Sequence, residues 1–192
     1  MSAISERRER ERAHRHQLII TAARELAETE GWEAVTTRRL AERVEYSQPV
    51  LYSHFDGKEA IVRAVALQGF DELTDRLRRA RLGADGSEQG LLAVCRAYLD
   101  FAVTQPTLYQ AMFIMPTDMK FASEETPAPL RAAFGEFVSA LPPGTDQREL
   151  TAEVTWSALH GIAVLAAAGR IPPDGQDERV KLLANRITVA RA

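Results

Sequence analysis

Apolar residues recur at the three- and four-residue spacing of an α-helix along nearly the whole chain of 192 residues. The sustained alternation typical of β-strands is missing, and so is the Asn-Gly pair typical of tight hairpins. Proline and glycine instead stand at short breaks between the helical stretches. The sequence therefore predicts an all-α protein of about nine helices.

The breaks give approximate bounds for these helices. The first helix places Leu18, Ile19, Ala22, Ala23, Leu26 and Ala27 on one side and stops near Gly31. Residues 5–16, rich in Arg, Glu and His, form either a disordered arm or an N-terminal extension of that helix. The remaining helices are expected to begin near Thr36, at Gln48 and at Lys58, and then to span about 88–104, 105–115, 127–140, 147–169 and 176–190.

Two short helices joined by about three residues lie between longer helices, which is the arrangement of a tri-helical DNA-reading module. A small core is expected from Leu18, Leu26, Leu40, Val44, Leu51 and Phe55. The outward face of the third helix then carries the hydrogen-bonding side chains Ser47, Gln48, Tyr52, Ser53 and His54. We expect a helix-turn-helix domain at 1–60, with an arm at 1–15, and a helical-bundle domain at 61–192.

The net charge of −3 does not by itself favour nucleic acid, and residues 1–58 hold ten basic and ten acidic side chains. Positive charge must then be concentrated on one face. Arg38, Arg39 and Lys58 stand at the starts of predicted helices, where the helix dipole disfavours cations. Phosphates or base edges would reverse that penalty, whereas ordinary solvation of surface cations is the alternative for each one alone.

The run from Thr36 to Lys58 resembles the DNA-binding domain of the TetR family of repressors. The matching features are Thr-Thr-Arg at 36–38, Gln-Pro-x-Leu-Tyr-x-His at 48–54, and the lysine that follows the turn. The resemblance implies that Arg38 and Gln48 read bases, that Pro49 faces a thymine methyl, and that four residues hold phosphates. These four are Thr37, Tyr52, His54 and Lys58. The full set of expected DNA-binding residues is Thr36, Thr37, Arg38, Ser47, Gln48, Pro49, Tyr52, His54 and Lys58.

Glu45 departs from the family pattern, because glycine usually stands at this position of the turn. The position commonly needs a positive φ, which costs a non-glycine residue about 1 kcal/mol. We therefore expect a slightly re-formed turn.

Residues 150–168 are apolar on nearly all sides of the predicted helix, which indicates burial on most faces. In so small a domain, such burial suggests a partner subunit. Val180, Leu183 and Ile187 add apolar positions on the last helix. We predict a homodimer through a four-helix interface made by 150–168 and 176–190 of each chain. The segment Thr155–Gly161 also resembles the regulatory domain of a TetR subgroup, with Trp, His and Gly at matching spacing.

Aromatic and sulfur-containing residues cluster in the middle helices. Such residues are more often ordinary core, but a cavity between bundle helices is also a usual place for a small molecule. The expected ligand-binding residues, for a largely apolar or aromatic effector, are Tyr98, Phe101, Tyr109, Met112, Phe113, Phe134, Trp156 and His160. A purely structural role is the alternative for His160.

Several classes of function lack support. The single cysteine, Cys95, lies in an apolar run that raises a thiol pKa, and the four histidines show no metal-ligand spacing beyond a weak His14-x-His16. No nucleotide-binding or nucleophile motif occurs. We therefore expect no enzyme, cofactor or metal. Neither a secretory signal nor about 18 consecutive apolar residues occur, so we expect a cytoplasmic protein without a membrane span.

These observations predict a ligand-responsive DNA-binding transcriptional regulator, most simply a repressor released from a palindromic operator. The alternative is a helical small-molecule-binding or adaptor protein that does not act on DNA. The basic residues of the arm either enter the minor groove or pair with its own glutamates.

Overall fold

The computed structural model describes residues 3–172 and 174–189, and these residues form nine α-helices, one short 3₁₀ helix at Trp32–Ala34 and no strand. The expected all-α class is confirmed. The helices are α1 (Ala3–Glu30), α2 (Thr37–Arg43), α3 (Gln48–Tyr52), α4 (Lys58–Leu82), α5 (Ser87–Thr104), α6 (Pro106–Phe113), α7 (Ala128–Ala140), α8 (Arg148–Ala167) and α9 (Gln176–Val189).

The chain divides into two compact units. The first comprises the residues up to Gly69 together with Thr107–Met119, and the second comprises Phe70–Pro106 and the residues from Lys120 onward. Helix α4 contributes to both units, and helix α6 belongs almost wholly to the first. The first compact unit extends beyond residue 60, because it also takes in part of α4 and most of α6. The expected domain boundary after residue 60 concerns function and stays a prediction.

The core of the first unit forms where α1 packs against α2 and α2 packs against α3. Leu26, Leu40 and Leu51 are fully buried there, as the sequence predicts, and Phe55 is almost so. The prediction for Leu18 is wrong, because this side chain is 39% exposed. Its neighbour Ile19 is buried instead, since a step of one residue turns a helix by about 100° and carries Leu18 off the core-facing side. Val44, at the end of α2, is only half-buried.

The N-terminal stretch 5–16 is helical and continuous with the rest of α1, so the extension is the correct alternative. Its exposed side chains include the i, i+4 ion pair between Arg7 and Glu11, at 2.9 Å. Pairs of this kind add a few tenths of a kcal/mol to an exposed helix. The first two residues of the expected arm lie outside the described residues.

Helix α6 is held to the rest of the first unit by close packing and one indole hydrogen bond. An ideal Cβ on Gly69 would lie 2.6 Å from Sδ of Met112, so glycine permits the close approach of α4 and α6. Trp32 Nε1 donates to the carbonyl oxygen of Thr107 at 2.9 Å. The sequence carried no signal for either contact, because both join residues distant along the chain.

Helix α5 is the central element of the second unit and packs against α7, α8 and α9. Its buried side chains are Leu91, Val94, Cys95, Tyr98, Leu99 and Phe101. Glu136 of α7 is also buried, and its carboxylate accepts hydrogen bonds of 2.9 Å from Nε of both Arg78 and Arg81. Two guanidinium partners thus compensate the buried charge and tie α7 to α4.

Candidate nucleic-acid interface

The two short helices are joined by a well-formed turn that ends α2. Glu45 has φ +56°, the left-handed conformation that the missing glycine would adopt easily. Its N–H donates to the carbonyl of Glu42 (3.3 Å), and Tyr46 N–H donates to that of Ala41 (2.9 Å). These are the two bonds of a Schellman motif. The turn is therefore not re-formed; Glu45 adopts the strained conformation instead.

The start of α2 is capped by Thr36, whose side-chain oxygen accepts from the backbone N–H of Arg39 at 3.2 Å. A threonine N-cap of this kind fixes the helix start. Thr37, the next residue, is half-buried, and its hydroxyl lies 3.4 Å from the phenolic oxygen of Tyr52. This contact joins two of the expected phosphate-binding side chains across α2 and α3.

Helix α3 presents a polar face to solvent and an apolar face to the core. Pro49 occupies its first turn, where the missing N–H costs nothing. Ser47, Gln48 and Pro49 are exposed, and Tyr52 is 51% exposed, whereas Leu51 is fully buried. One side of a short, firmly packed helix is thus available to a partner.

The two arginines of α2 differ in their partners. Arg38 is exposed, and among the described residues its one ion pair is the i, i+4 pair with Glu42 at 3.0 Å, which a stronger partner can displace. Arg39 instead donates two hydrogen bonds to the carboxylate of Glu30, at 2.8 and 2.9 Å. The carboxylate of Glu30 thus compensates the positive charge of Arg39 at the start of α2, and no phosphate is needed to explain this arginine.

Lys58 and His54 are less free than the sequence suggests. Lys58 Nζ donates to the carbonyl oxygen of Trp32 at 2.5 Å, which leaves two ammonium protons for another acceptor. His54 is half-buried, so it does not share the fully exposed face of α3. Burial lowers the pKa of its imidazole, and the charges of His16, Arg12 and Arg15 lower it further.

The expected ligand-binding residues are divided between the two units. Tyr109, Met112 and Phe113 lie in α6 of the first unit, where the rings of Tyr109 and Phe113 are 4.7 Å apart. The structure therefore does not bring all eight into one unit. The five that lie in the second unit are Tyr98, Phe101, Phe134, Trp156 and His160.

Within the second unit, a buried tyrosine connects two half-buried polar rings. Trp156 Nε1 donates to Tyr98 Oη at 3.1 Å, and the same oxygen lies 3.4 Å from His160 Nδ1. Burial lowers the pKa of His160, and the tautomer of the ring determines which group donates between Oη and Nδ1. The ring of Phe137 meets that of Tyr98 edge-on at 5.6 Å. The result is an apolar cluster with a short polar chain.

Cys95 is fully buried, and burial raises the pKa of its thiol to about 12. A thiol in this state is protonated near neutral pH and is a poor nucleophile. Across the part of the chain that the structure describes, no group of three His, Cys, Asp or Glu side chains has the geometry of a metal site.

Helix α8 exposes much of its apolar surface. Ala152, Thr155 and Leu159 are buried, whereas Val154 is 58% exposed and Leu150 and Leu165 are also exposed. The expected burial on most faces is therefore not present within one chain. By length and composition α8 is apolar enough to cross a membrane, alone among the helices of the described residues. Its inner face nevertheless packs on α5 and α7 as a bundle helix does.

On helix α9, the exposed large apolar residue differs from the residues that the sequence predicts. Val180 is buried inside the second unit, and Leu183 and Ile187 are half-buried. Leu182 is the exposed large apolar side chain of α9. The last position of the expected 176–190 segment lies outside the described residues.

Known proteins match both parts of the chain. Residues 19–65 match "Bacterial regulatory proteins, tetR family", and residues 91–187 match "Tetracyclin repressor-like, C-terminal domain". The HTH-type transcriptional regulator Rv0681 of Mycobacterium tuberculosis (strain ATCC 25618 / H37Rv) is 30% identical over 158 residues, 79% of this chain and 69% of the relative.

Two further matches agree with these. YobS, an HTH-type transcriptional regulator of Bacillus subtilis (strain 168), is 30% identical over 104 residues, so the match spans about half of each protein (54% of both). A solved protein of unknown function from Rhodococcus sp. RHA1 has the same fold, with a TM-score of 0.74, 24% identity, and coverage of 91% of this chain and 94% of that one.

Proposed function

Since the chain belongs to the TetR family of transcriptional regulators, we propose that it is a repressor that binds a roughly palindromic operator as a homodimer and responds to a small molecule. The matched families and relatives are regulators rather than enzymes. A regulator that acts on bacterial DNA works in the cytoplasm.

The observation that carries the DNA-binding proposal is the solvent-facing side of α3. Its exposed residues Ser47, Gln48, Pro49 and Tyr52 stand on a helix whose other side, at Leu51, is anchored in the core. An amide such as Gln48 pairs with adenine in the major groove, and a proline ring can contact a thymine methyl. We assign base reading to Gln48 on this ground, and to Arg38, which is exposed on α2, because the resemblance to the family implies it.

The remaining residues of the predicted site would hold the DNA backbone. The hydroxyl groups of Thr37 and Tyr52 lie 3.4 Å apart, so they are suited to one phosphate together. The two remaining ammonium protons of Lys58 are suited to a neighbouring phosphate. Thr36 and Ser47, which directly precede α2 and α3, are exposed, and we assign their hydroxyl groups to the DNA backbone as well.

A dimer would place two recognition helices in successive major grooves, about 34–36 Å apart. The exposed apolar side chains of α8, with Leu182 of α9, supply a surface that a second copy would cover. We therefore keep 150–168 and 176–190 as the proposed interface, with Leu182 in place of Val180.

The effector site is proposed at the aromatic cluster of the second unit. Phe101 and Phe134 offer apolar surface, and the chain formed by Trp156, Tyr98 and His160 offers polar groups for orientation. A ligand shifts the operator-binding equilibrium only by its difference in affinity for two conformers. Helix α4 begins at Lys58 in the first unit and ends in the second, so a shift of this helix affects both.

Two substitutions in α3 test the assignment on DNA from the region upstream of the gene. Gln48→Ala should relax the preference among bases at one position of each half-site by about 1–3 kcal/mol. Tyr52→Ala should weaken binding to all duplexes alike and lower the salt slope by about 1. Gln110→Ala, at an exposed position of α6, is the control. Unchanged base preference in Gln48→Ala would overturn the base-reading role.

Thermal-shift screening tests the effector site. Apolar and aromatic compounds that bind the native state should raise the midpoint of unfolding, and His160→Leu should abolish this effect for a compound that needs the polar chain. Trp156 fluorescence in a Trp32→Phe background reports binding directly. A panel in which no apolar compound stabilises the protein would contradict the proposal.

The alternative of an adaptor that never acts on DNA is not favoured by membership of this family. A gel shift with the upstream DNA, repeated at raised salt, separates the two functions. Specific retention that persists at raised salt supports the repressor, and absence of any shift supports the adaptor.

A further inference from the structure

The N-terminal half of α1 carries three arginines on the continuation of its buried face. Arg8, Arg12 and Arg15 are spaced by four and three residues, and the same spacing leads on to the buried Ile19 and Ala23. Residues at these intervals lie on one side of a helix. The arginines therefore point to the side on which α1 meets the helix-turn-helix.

These arginines line an open cleft of about 360 Å³, together with Glu11, Ser53 and His54. The cleft thus lies between α1 and the end of α3. Within the described residues none of the three arginines forms an ion pair. The one acidic group, Glu11, is bonded to Arg7 at 2.9 Å, which chiefly accounts for its lowered pKa. The cleft consequently has an excess of uncompensated positive charge.

In the part of the chain that the structure describes, one polar atom of the cleft on the α3 side lacks a partner, whereas the hydroxyl of Ser53 donates to the carbonyl oxygen of Val50 at 2.6 Å. Nδ1 of His54 is buried and has no hydrogen-bond partner among the described residues. The ring of His16 stacks on Phe55 at 4.3 Å, and its centroid lies 6.2 Å from that of His54, so the neighbouring imidazole does not supply one. Three guanidinium groups and an unsatisfied ring nitrogen are together suited to an oxyanion.

We propose that this cleft binds phosphates of the DNA backbone that flank the bases read by α3. The inference rests on the proposed function and extends it to residues outside 36–58. Arginine matches phosphate because its planar guanidinium donates two parallel hydrogen bonds. The stripe from Arg8 to Arg15 covers about 10 Å of helix, which is long enough for more than one phosphate.

The test compares two double variants with the same change in charge. Arg8→Ala/Arg12→Ala removes two arginines of the cleft, whereas Arg10→Ala/Arg79→Ala removes two exposed arginines that do not line it. Alanine is the best helix former, so both variants keep α1 and α4, and circular dichroism checks this. Binding is measured by anisotropy of fluorescein-labelled duplexes, one of random sequence and one from the upstream DNA, over a series of NaCl concentrations.

The cleft variant should bind both duplexes about tenfold more weakly near 150 mM salt, and its plot of log K against log salt should be shallower by about 1–2. The control variant should stay within about twofold of wild type, with an unchanged slope. Equal losses in both variants would overturn the proposal, because they would indicate bulk charge rather than a site.

A second arm distinguishes DNA from a free anion. Sodium phosphate is titrated at constant ionic strength while thermal unfolding is followed. If phosphate alone stabilises wild type but not the cleft variant, and the DNA salt slopes are equal, the cleft takes a free anion and the proposal is wrong. If the wild-type protein binds neither duplex, the proposed function itself fails. This outcome differs from an equal loss of DNA affinity in the cleft and control variants, which overturns only the role of the cleft.

Discussion

At the scale of single residues, Glu45 shows how a local rule is kept at a cost. The Schellman bonds that end α2 require a residue in the left-handed conformation, and Glu45 adopts this conformation with φ +56°. A side chain at this φ is disfavoured because Cβ approaches the following carbonyl oxygen. The strain is small beside the core contacts of Leu40 and Leu51, so the turn persists.

Glu45→Gly should therefore raise the free energy of unfolding by about 0.5–1 kcal/mol, since relief of strain outweighs the extra chain entropy of glycine. The midpoint of thermal unfolding should rise by a few degrees. Glu42→Gly is the matched control within α2 and should lose about 1 kcal/mol. Destabilisation of the Glu45 variant would show that the strain is absent.

The pair His16 and His54 predicts a dependence of stability on pH. Burial lowers the pKa of both imidazoles from 6.5, and Arg12 adds to both effects. The unfolded chain then binds protons more tightly than the native state, so stability is retained above pH 6.5 and falls as the pH drops below it. Urea unfolding at pH 7.5 and pH 5 measures this loss.

His16→Phe keeps a ring against Phe55 and removes one of the titrating groups. It should reduce the loss of stability between the two pH values, while the exposed control His14→Phe should leave that loss as in wild type. An equal loss in His16→Phe and wild type would contradict the assignment.

At the scale of elements, the sequence predicted where most helices begin and end, but not how they contact each other. Proline and glycine mark helix ends locally, which is why α4 begins at its expected residue and the helices after it lie close to their expected bounds. The approach of α6 to α4 depends on the space above Gly69, and that space exists only after folding.

Two glycines make this contact testable. Gly→Ala in a helix interior gains up to about 1 kcal/mol where space allows. Gly135, with no atom within 4 Å of its ideal Cβ, should show that gain. Gly69→Ala should instead lose about 1–2 kcal/mol, because overpacking against Met112 exceeds the gain. Similar stabilisation of both variants in urea unfolding would refute the close packing.

At the scale of the whole molecule, the exposed apolar side of α8 is the main feature that one chain leaves unexplained. Val154→Glu should convert a dimer into a monomer at micromolar concentration, because a carboxylate would have to be buried in the interface. Val103→Glu, at a position 66% exposed on α5, is the control and should remain dimeric. Sedimentation velocity measures both, and a wild-type chain that is monomeric would rule out the interface.

The sequence by itself determined the all-helical class, the helix-turn-helix and its family, because these depend on local spacing, turn residues and caps within a short stretch. Only the tertiary structure decided which cations are free. Arg39 is bound by Glu30, Lys58 is shared with a carbonyl, and Arg8, Arg12 and Arg15 are brought beside His54. These contacts join residues that are distant in the sequence, or they depend on which side of a helix a residue faces, and a shift of one residue changes that side. Only the packed chain brings such residues together.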